Sequence, residues 1–187
     1  MRASAGLSPP EGLRLVPEFF TQQEEEELLG QLKRLRFAPV FFIGATSKRE
    51  LCHFGWEYAV TSRRLRPAAP IPGFLLAIRD RCAKAAELPS ERFSQVITTH
   101  YPAGAGIGEH IDAPVFGETV LDVSLQSSCR MVFKRNGAVF GLTLPPRSLL
   151  IMAGPSRSLW KHSIPGSSVK SDRYSITMRS VAGGAGR

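Results

Sequence analysis

His110 and Asp112 stand one residue apart in the run GEHIDAP, and no other pair in the chain is as chemically loaded. In a strand or at its end, alternate side chains share a face, so an H-x-D pair can aim two ligands at one ion. The third ligand must come from elsewhere, and His162 is the best candidate. Two imidazoles and one carboxylate can cap one triangular face of an Fe(II) octahedron and leave the other positions for a co-substrate and O₂. Arg173 and Arg179 follow soon after. A guanidinium grips a carboxylate through two parallel hydrogen bonds, so an arginine there suits an acidic co-substrate. Alone, an H-x-D pair is a short motif that also describes surface hydrogen-bonded pairs, and two arginines also describe surface ion pairs. Ile176 and Met178 alternate between those arginines, as in a strand with one face in a core.

The surrounding residues sharpen this. The stretch TTHYPAGAGIGEHID (98–112) resembles the metal-binding signature of the AlkB family of 2-oxoglutarate/Fe(II) dioxygenases, in which a tyrosine and a glycine-containing turn precede H-x-D. RYSITMR (173–179) looks like that family's R-x-x-x-x-x-R strand, and LWKHSI (159–164) like its distal-histidine segment. The resemblance implies that His110, Asp112 and His162 bind Fe(II). It implies that Arg173, helped by the Tyr101 hydroxyl, pairs with the distal carboxylate of 2-oxoglutarate, and that Arg179 lies nearer the metal. The chain departs from the family at Thr99 and Ser175, where asparagine is common. Both replacements keep a small hydrogen-bonding side chain, so both stay candidates for co-substrate contact.

These residues need a frame to hold them. Thr21 with Glu24 forms a capping-box pattern ahead of a helix over 22–37, striped by Leu28, Leu29, Leu32 and Leu35. A second helix is expected over about 72–87. Short-period alternation then predicts strands over 93–101, 118–125, 130–134, 138–144, 148–152 and 173–181. Asn136-Gly137 is a two-residue hairpin signal, and Pro145-Pro146-Arg147 and Gly154-Pro155 mark loops. Helices first and short strands afterwards give an α+β, mostly β domain of sandwich or barrel type. The family resemblance makes it a double-stranded β-helix, or jelly roll, with two flanking helices and a nucleotide-recognition lid.

At 187 residues the expectation is one catalytic domain. It divides into an arm at 1–16, helices and lid at 17–91, the jelly-roll core at 92–181 and a disordered tail at 182–187. Cys52, Cys82 and Cys129 are widely spaced, which argues against a zinc knuckle or a disulfide framework. Residues 1–10 lack a secretory apolar region, and no run is long enough to cross a bilayer, so a monomer in cytoplasm or nucleus with no membrane partner is expected.

The net charge of +8 and pI near 9.9 suit a polyanionic partner, although solubility also asks for net charge. The basic residues Lys33, Arg34, Arg36, Lys48, Arg49, Arg63, Arg64 and Arg66 all precede the catalytic motifs. By resemblance, the segment 37–70 is the lid over a target nucleotide, and it contains FGWEY (54–58). Stacking on an aromatic face holds an unstacked base, at about 1–3 kcal/mol per base. Trp56, Tyr58, Arg63, Arg64 and Arg66 are therefore the candidate substrate contacts. Phe54, Trp56 and Tyr58 also alternate as in a strand packed on a sheet, while Phe37, Phe41 and Phe42 read as core and Trp160 as packing beside His162.

Finer resemblance in FGWEY, LPPRSLL (144–150) and SRSLWKH (156–162) points to the family's tRNA-modifying branch, which hydroxylates a wobble uridine. That branch carries an RNA-recognition domain and a methyltransferase, for which this chain shows no RNP-type motif. The implied activity uses Fe(II), 2-oxoglutarate and O₂. It would oxidise an alkyl group on a nucleobase of DNA or RNA, tRNA included, by demethylation or stable hydroxylation. The rival is a family member acting on protein; a binding module with a dead iron site is disfavoured because every ligand is present.

Overall fold

The computed structural model describes residues 8–42, 45–59 and 62–181, and the tail expected at 182–187 lies outside them. Among the described residues a seven-stranded antiparallel sheet faces a four-stranded one. The large sheet holds β1 (Leu13–Val16), β2 (Ala38–Phe42), β3 (Ala45–Phe54), β6 (Gln95–Tyr101), β8 (Phe116–Leu125), β11 (Ser148–Ala153) and β13 (Arg173–Val181). Their order is β1-β11-β8-β13-β6-β3-β2. The small sheet runs β10 (Ala138–Leu144), β9 (Cys129–Arg135), β12 (Lys161–Ile164), β7 (Ile107–His110). A separate hairpin pairs β4 (Trp56–Ala59) with β5 (Arg64–Pro67). This is the mostly β jelly-roll architecture expected.

Period-2 alternation in the large sheet builds two cores. On β8 and β13, Leu121, Val123, Leu125, Tyr174, Ile176 and Met178 pack outward under two helices, α1 (Gln22–Leu32) and α2 (Gly73–Ala85). Val120, Leu150 and Met152 point inward and meet Met131, Phe133 and Ile164 of the small sheet. One face thus packs against helices, and the other encloses the space between the sheets.

The Thr21 capping box forms as expected, with the Thr21 hydroxyl accepting from the Glu24 N–H and the Glu24 carboxylate from the Thr21 N–H. Such a cap contributes about 1 kcal/mol. The helix stops at Leu32 rather than 37, because Arg34 and Leu35 turn back onto the carbonyls of Gln31 and Leu32. Phe37 then packs on Tyr174 and His100; the side chains of Phe41 and Phe42 lie outside the described set. Asn136 and Gly137 both take positive φ, 47° and 81°, as the tight turn between β9 and β10 requires.

The strand alternation read at Phe54, Trp56 and Tyr58 and the strand end at His110 correspond to β4 and β7, whereas β1, β2, β5, β12 and most of β3 have no counterpart in the sequence reading. Most of them depend on partners distant in sequence. β1 docks on β11, and β3 docks on β6. The Gly154-Pro155 loop is a short helix, α3 (Gly154–Ser158).

Candidate active site

Register across the large sheet lays out the inner wall. On β13 and β6 the facing pairs are Arg173 with Tyr101, Ser175 with Thr99, Thr177 with Ile97, and Arg179 with Gln95. Arg173 and Arg179 therefore end up on one face, six residues apart, as the strand pattern required. Asp122 on β8 pairs with Thr177, whose hydroxyl donates to its carboxylate at 2.6 Å.

The small sheet supplies the opposing wall. His162 on β12 is the register partner of His110 on β7, and the two rings lie 4.3 Å apart. The close approach of β7 and β12 depends on Gly106, where a Cβ would stand 2.3 Å from the Ile164 carbonyl oxygen. Asp112 lies beyond the end of β7, so strand alternation does not place it. Two arginines do. Arg157 on α3 donates to the carbonyls of Asp112, Ala113 and Phe116 at 3.0–3.2 Å, and Arg179 grips Asp112 Oδ1 at 2.7 Å. The Arg179 contact is one of the two that the family resemblance implied, near the keto acid or Asp112; the Arg157 role has no such signal in its segment.

The three candidate ligands converge on one cavity of about 50 Å³, also lined by Tyr101, Asp122 and Arg179. His162 Nε2 faces Asp112 Oδ2 at 3.8 Å, wider than a hydrogen bond. Among the described residues no three His, Cys, Asp or Glu side chains stand close enough to hold a metal ion as they lie, so the fit to one rests on the donor chemistry of these three and their shared cavity. The arrangement is open on one side, with Asp112 Oδ1 already held by Arg179. Asp112 Oδ2 is buried without a hydrogen-bond partner, and the His162 nitrogen turned toward it is Nε2. Buried polar atoms are rarely left so, and their lone pairs suit a cation. His110 Nδ1 contacts the Gly108 carbonyl at 2.8 Å, which fixes its ring and turns the other nitrogen toward the cavity.

Protonation is matched to that task. Burial, reinforced by His110, draws His162 down to about 4, so its imidazole is neutral at physiological pH. Burial likewise lowers His110. Burial would raise the Asp112 carboxyl, but Arg179, His162 and Arg157 outweigh it and hold Asp112 below the usual carboxylate range. Two neutral imidazoles and one carboxylate are the donor set that a non-haem Fe(II) needs.

Arg173 is wholly buried. It donates to Ser124 Oγ at 2.9 and 3.1 Å, lies 4.9 Å from the centre of the Tyr101 ring, and stands 3.7 Å from Asp122 Oδ2. Its Nη1 has no partner, which leaves a donor for an anionic oxygen. The residues present thus fit both an iron ion and an acidic co-substrate. Thr99 and Ser175 are buried on the same sheet face but do not line the cavity, whereas Thr177 and Asp122 do. Asp122 went unnamed from sequence, although a lone charge at an inward position of TVLDVSL could have flagged it.

A wider groove opens from this cavity, walled by β3, the β4–β5 hairpin and the 106–114 loop. Of the expected substrate residues, Tyr58 and Arg63 line it, and the Tyr58 ring sits edge-on to Phe116 at 5.7 Å. Trp56, Arg64 and Arg66 do not. Trp56 is half-buried with its carbonyl taken by Gln95, and Arg66 turns to Glu57 through bonds of 2.8 and 3.0 Å. Sequence reading placed Arg49 among basic clusters and passed over His53, yet both line the groove.

Comparison with known proteins agrees with this geometry. The family described as 2OG-Fe(II) oxygenase superfamily matches residues 12–179. A Xenopus tropicalis protein named tRNA (carboxymethyluridine(34)-5-O)-methyltransferase alkbh8 is 32% identical over 168 residues, covering 84% of this chain and 26% of its own length. The Arabidopsis thaliana protein named alkylated DNA repair protein ALKBH8 homolog is 27% identical, with 91% of this chain and 58% of its own length covered. The chain thus spans from about a quarter to just over half of these relatives. The structure of OsALKBH1 superimposes with a TM-score of 0.73 at 17% identity, covering 94% of this chain and 99% of that one, which shows a shared fold. With its two histidines, one aspartate and paired arginines on a jelly-roll frame, this chain belongs to the AlkB family of the 2OG-Fe(II) oxygenase superfamily.

Proposed function

We propose that this Fe(II)- and 2-oxoglutarate-dependent dioxygenase oxidises an alkyl group on a nucleobase of DNA or RNA, by oxidative demethylation or by hydroxylation of a wobble-uridine substituent. The observation that carries this reading is the groove: a cation-bearing channel, flanked by Arg49, Arg63 and Tyr58, that opens onto His110 and Asp112. The names of relatives that act on tRNA or DNA point the same way.

His110, Asp112 and His162 would hold the iron. Arg173, through its unpaired Nη1 and with the Tyr101 hydroxyl, would take the distal carboxylate of 2-oxoglutarate. Arg179 holds Asp112 in its ligating orientation. When bound, the ion and the keto acid supply the O₂-driven oxidation of a C–H bond, releasing succinate and CO₂. The chain's own residues orient these groups, and Met131, Met152 and Ile164 close the cavity against water. Tyr58 would stack on the target base and Arg63 would meet a phosphate, with Arg64 and Arg66 on the exposed hairpin reaching flanking phosphates.

Mass spectrometry of products from methylated DNA, methylated RNA and bulk tRNA tests this. Loss of a methyl group or gain of one oxygen on a base is the expected result. Turnover of a peptide pool with none of the three nucleic acids would overturn it and give the protein-substrate reading.

A further inference from the structure

Strand β3 shows a second alternation. Ser47, Arg49, Leu51 and His53 line the groove, while Cys52 and Phe54 turn to the helix-side core. Leu51 pairs with Thr99 and His53 with Ile97 on β6, so this row continues the face that carries the inner wall. Glu50 pairs with His100 and His53 with Ile97, so the row begins near Tyr101 and runs along the groove floor toward the end of the wall that carries Arg179.

Arg49 stands apart from the other arginines that are not fully exposed. Arg79 holds Asp80, Arg147 holds Glu25, Arg157 holds three carbonyls, Arg173 holds Ser124 and Arg179 holds Asp112. Among the described residues Arg49 has no carboxylate within ion-pair distance; it hydrogen-bonds the Tyr101 hydroxyl, with the like charge of Arg179 in the same groove. Burial disfavours its charged form, which an arriving anion would relieve. Four residues on, His53 has a buried Nδ1 with no hydrogen-bond partner. Burial keeps its ring neutral, so that nitrogen can accept or donate according to tautomer. A half-buried cation without an anion and a buried polar atom without a partner, on one face of one strand, call for a ligand with an anionic group and a polar edge. At about 3.3 Å per residue the two positions are about 13 Å apart, within the span of a nucleotide and its neighbouring phosphate.

We propose that Arg49 and His53 form the substrate-reading row of this oxygenase, with Arg49 pairing with a phosphate or carboxylate of the nucleotide being oxidised and His53 hydrogen-bonding a polar edge of its base. This rests on the nucleobase reading above and adds what the substrate must carry: an anionic oxygen group at the mouth of the iron cavity. A carboxylate would belong to the base substituent itself, a phosphate to the backbone.

The test uses the full chain loaded with Fe(II) and 2-oxoglutarate under nitrogen. Uridine, uridine 5′-monophosphate, 5-carboxymethyluridine and ribose 5-phosphate are titrated by calorimetry. The wild type should bind at least one anionic nucleotide about tenfold more tightly than uridine, as expected of one charge-assisted hydrogen-bonded pair. Arg49→Gln should erase that advantage while weakening 2-oxoglutarate by much less, because it takes one hydrogen bond from the Tyr101 hydroxyl but leaves Arg173 in place. Preference for the monophosphate assigns the phosphate, and preference for the carboxymethyl nucleoside the carboxylate. His53→Ala should weaken all three nucleosides and spare ribose 5-phosphate. An advantage that survives Arg49→Gln, or an equal loss of 2-oxoglutarate affinity, overturns the proposal and in the latter case gives Arg49 to the co-substrate. If ribose 5-phosphate binds as well as the nucleotides and depends on Arg49, the anion site stands while His53 and the nucleobase reading fall. If methylated RNA is turned over with unchanged KM by both variants, the nucleobase reading stands and the row falls.

Discussion

The inner wall of the cavity and the floor of the groove are faces of the same sheet, but they are finished differently. On the inner wall the key side chains are each clamped by a neighbour, and atoms such as Asp112 Oδ2 and Arg173 Nη1 are left over for an ion and a co-substrate. Arg173 is locked by Ser124, Asp122 by Thr177 and Asp112 by Arg179 and Arg157. On the groove floor Arg49 has a hydroxyl but no carboxylate for its charge, and His53 Nδ1 has no partner. A wall that holds an unvarying ion and co-substrate can be preorganised, because buried hydrogen bonds fix positions that need not change. A floor that receives a larger molecule must leave its bonds unmade until that molecule arrives. Chemistry is thus fixed by the wall, and selectivity is left to the floor.

The largest effects should come from the metal end of the wall. His162→Ala or Asp112→Ala removes one of the three proposed ligands and should abolish Fe(II) binding by calorimetry, with succinate formation falling to background. Retention of full iron affinity by either variant would break the assignment.

Arg157→Met comes next, because it strips three carbonyls of a buried donor without touching a ligand. Hydrogen bonds to charged groups contribute about 1.5–3 kcal/mol each, so a fall of several kcal/mol in stability and a large loss of iron affinity are expected. Denaturant unfolding and metal titration check the two separately. Stability lost with metal affinity intact would make Arg157 a purely structural clamp.

Arg173→Lys should raise the Kd for 2-oxoglutarate by about ten- to a hundredfold, since lysine cannot reproduce a two-point contact, while iron affinity stays near wild type. An unchanged Kd would put the wrong arginine on the carboxylate.

Asp122 offers a smaller, pH-dependent effect. Burial raises its carboxyl above the usual range, opposed by Arg173 and Thr177. Its folded pKa therefore exceeds its unfolded one. The stability its proton contributes is complete below the unfolded value and is lost as pH rises through the folded value. The same rise creates a charge that competes for Arg173, so 2-oxoglutarate affinity should fall several-fold across that window. Asp122→Asn should flatten the profile. A flat wild-type profile would show that Asp122 keeps one charge state throughout.

The smallest effect is expected at the rim. Arg66→Ala breaks an exposed pair with Glu57, and exposed pairs contribute little. Tm and 2-oxoglutarate affinity should both stay at wild-type values. A clear loss of either would tie the β4–β5 hairpin to the inner wall more tightly than the geometry suggests.

His110, Asp112, His162 and the two arginines were legible as residues because metal and carboxylate chemistry admits few side-chain types, and because period-2 alternation puts Arg173 and Arg179 on one face whatever the sheet around them. The capping box at Thr21 and the Asn136-Gly137 turn were equally local, set by short-range hydrogen bonds and backbone sterics. Tertiary structure decided the rest. Asp112 was expected to be aimed by strand alternation, yet it lies past the strand and is held by Arg157 and Arg179, from remote segments. Trp56, Arg64 and Arg66 were chosen for type and position, but the hairpin's docking left them outside the groove and brought in Arg49 and His53 instead. Sequence fixes which side chains can do chemistry and which neighbours share a face. Which faces meet depends on β3 finding β6 and β7 finding β12, pairings whose hydrogen bonds are backbone bonds and so leave little trace in side-chain identity.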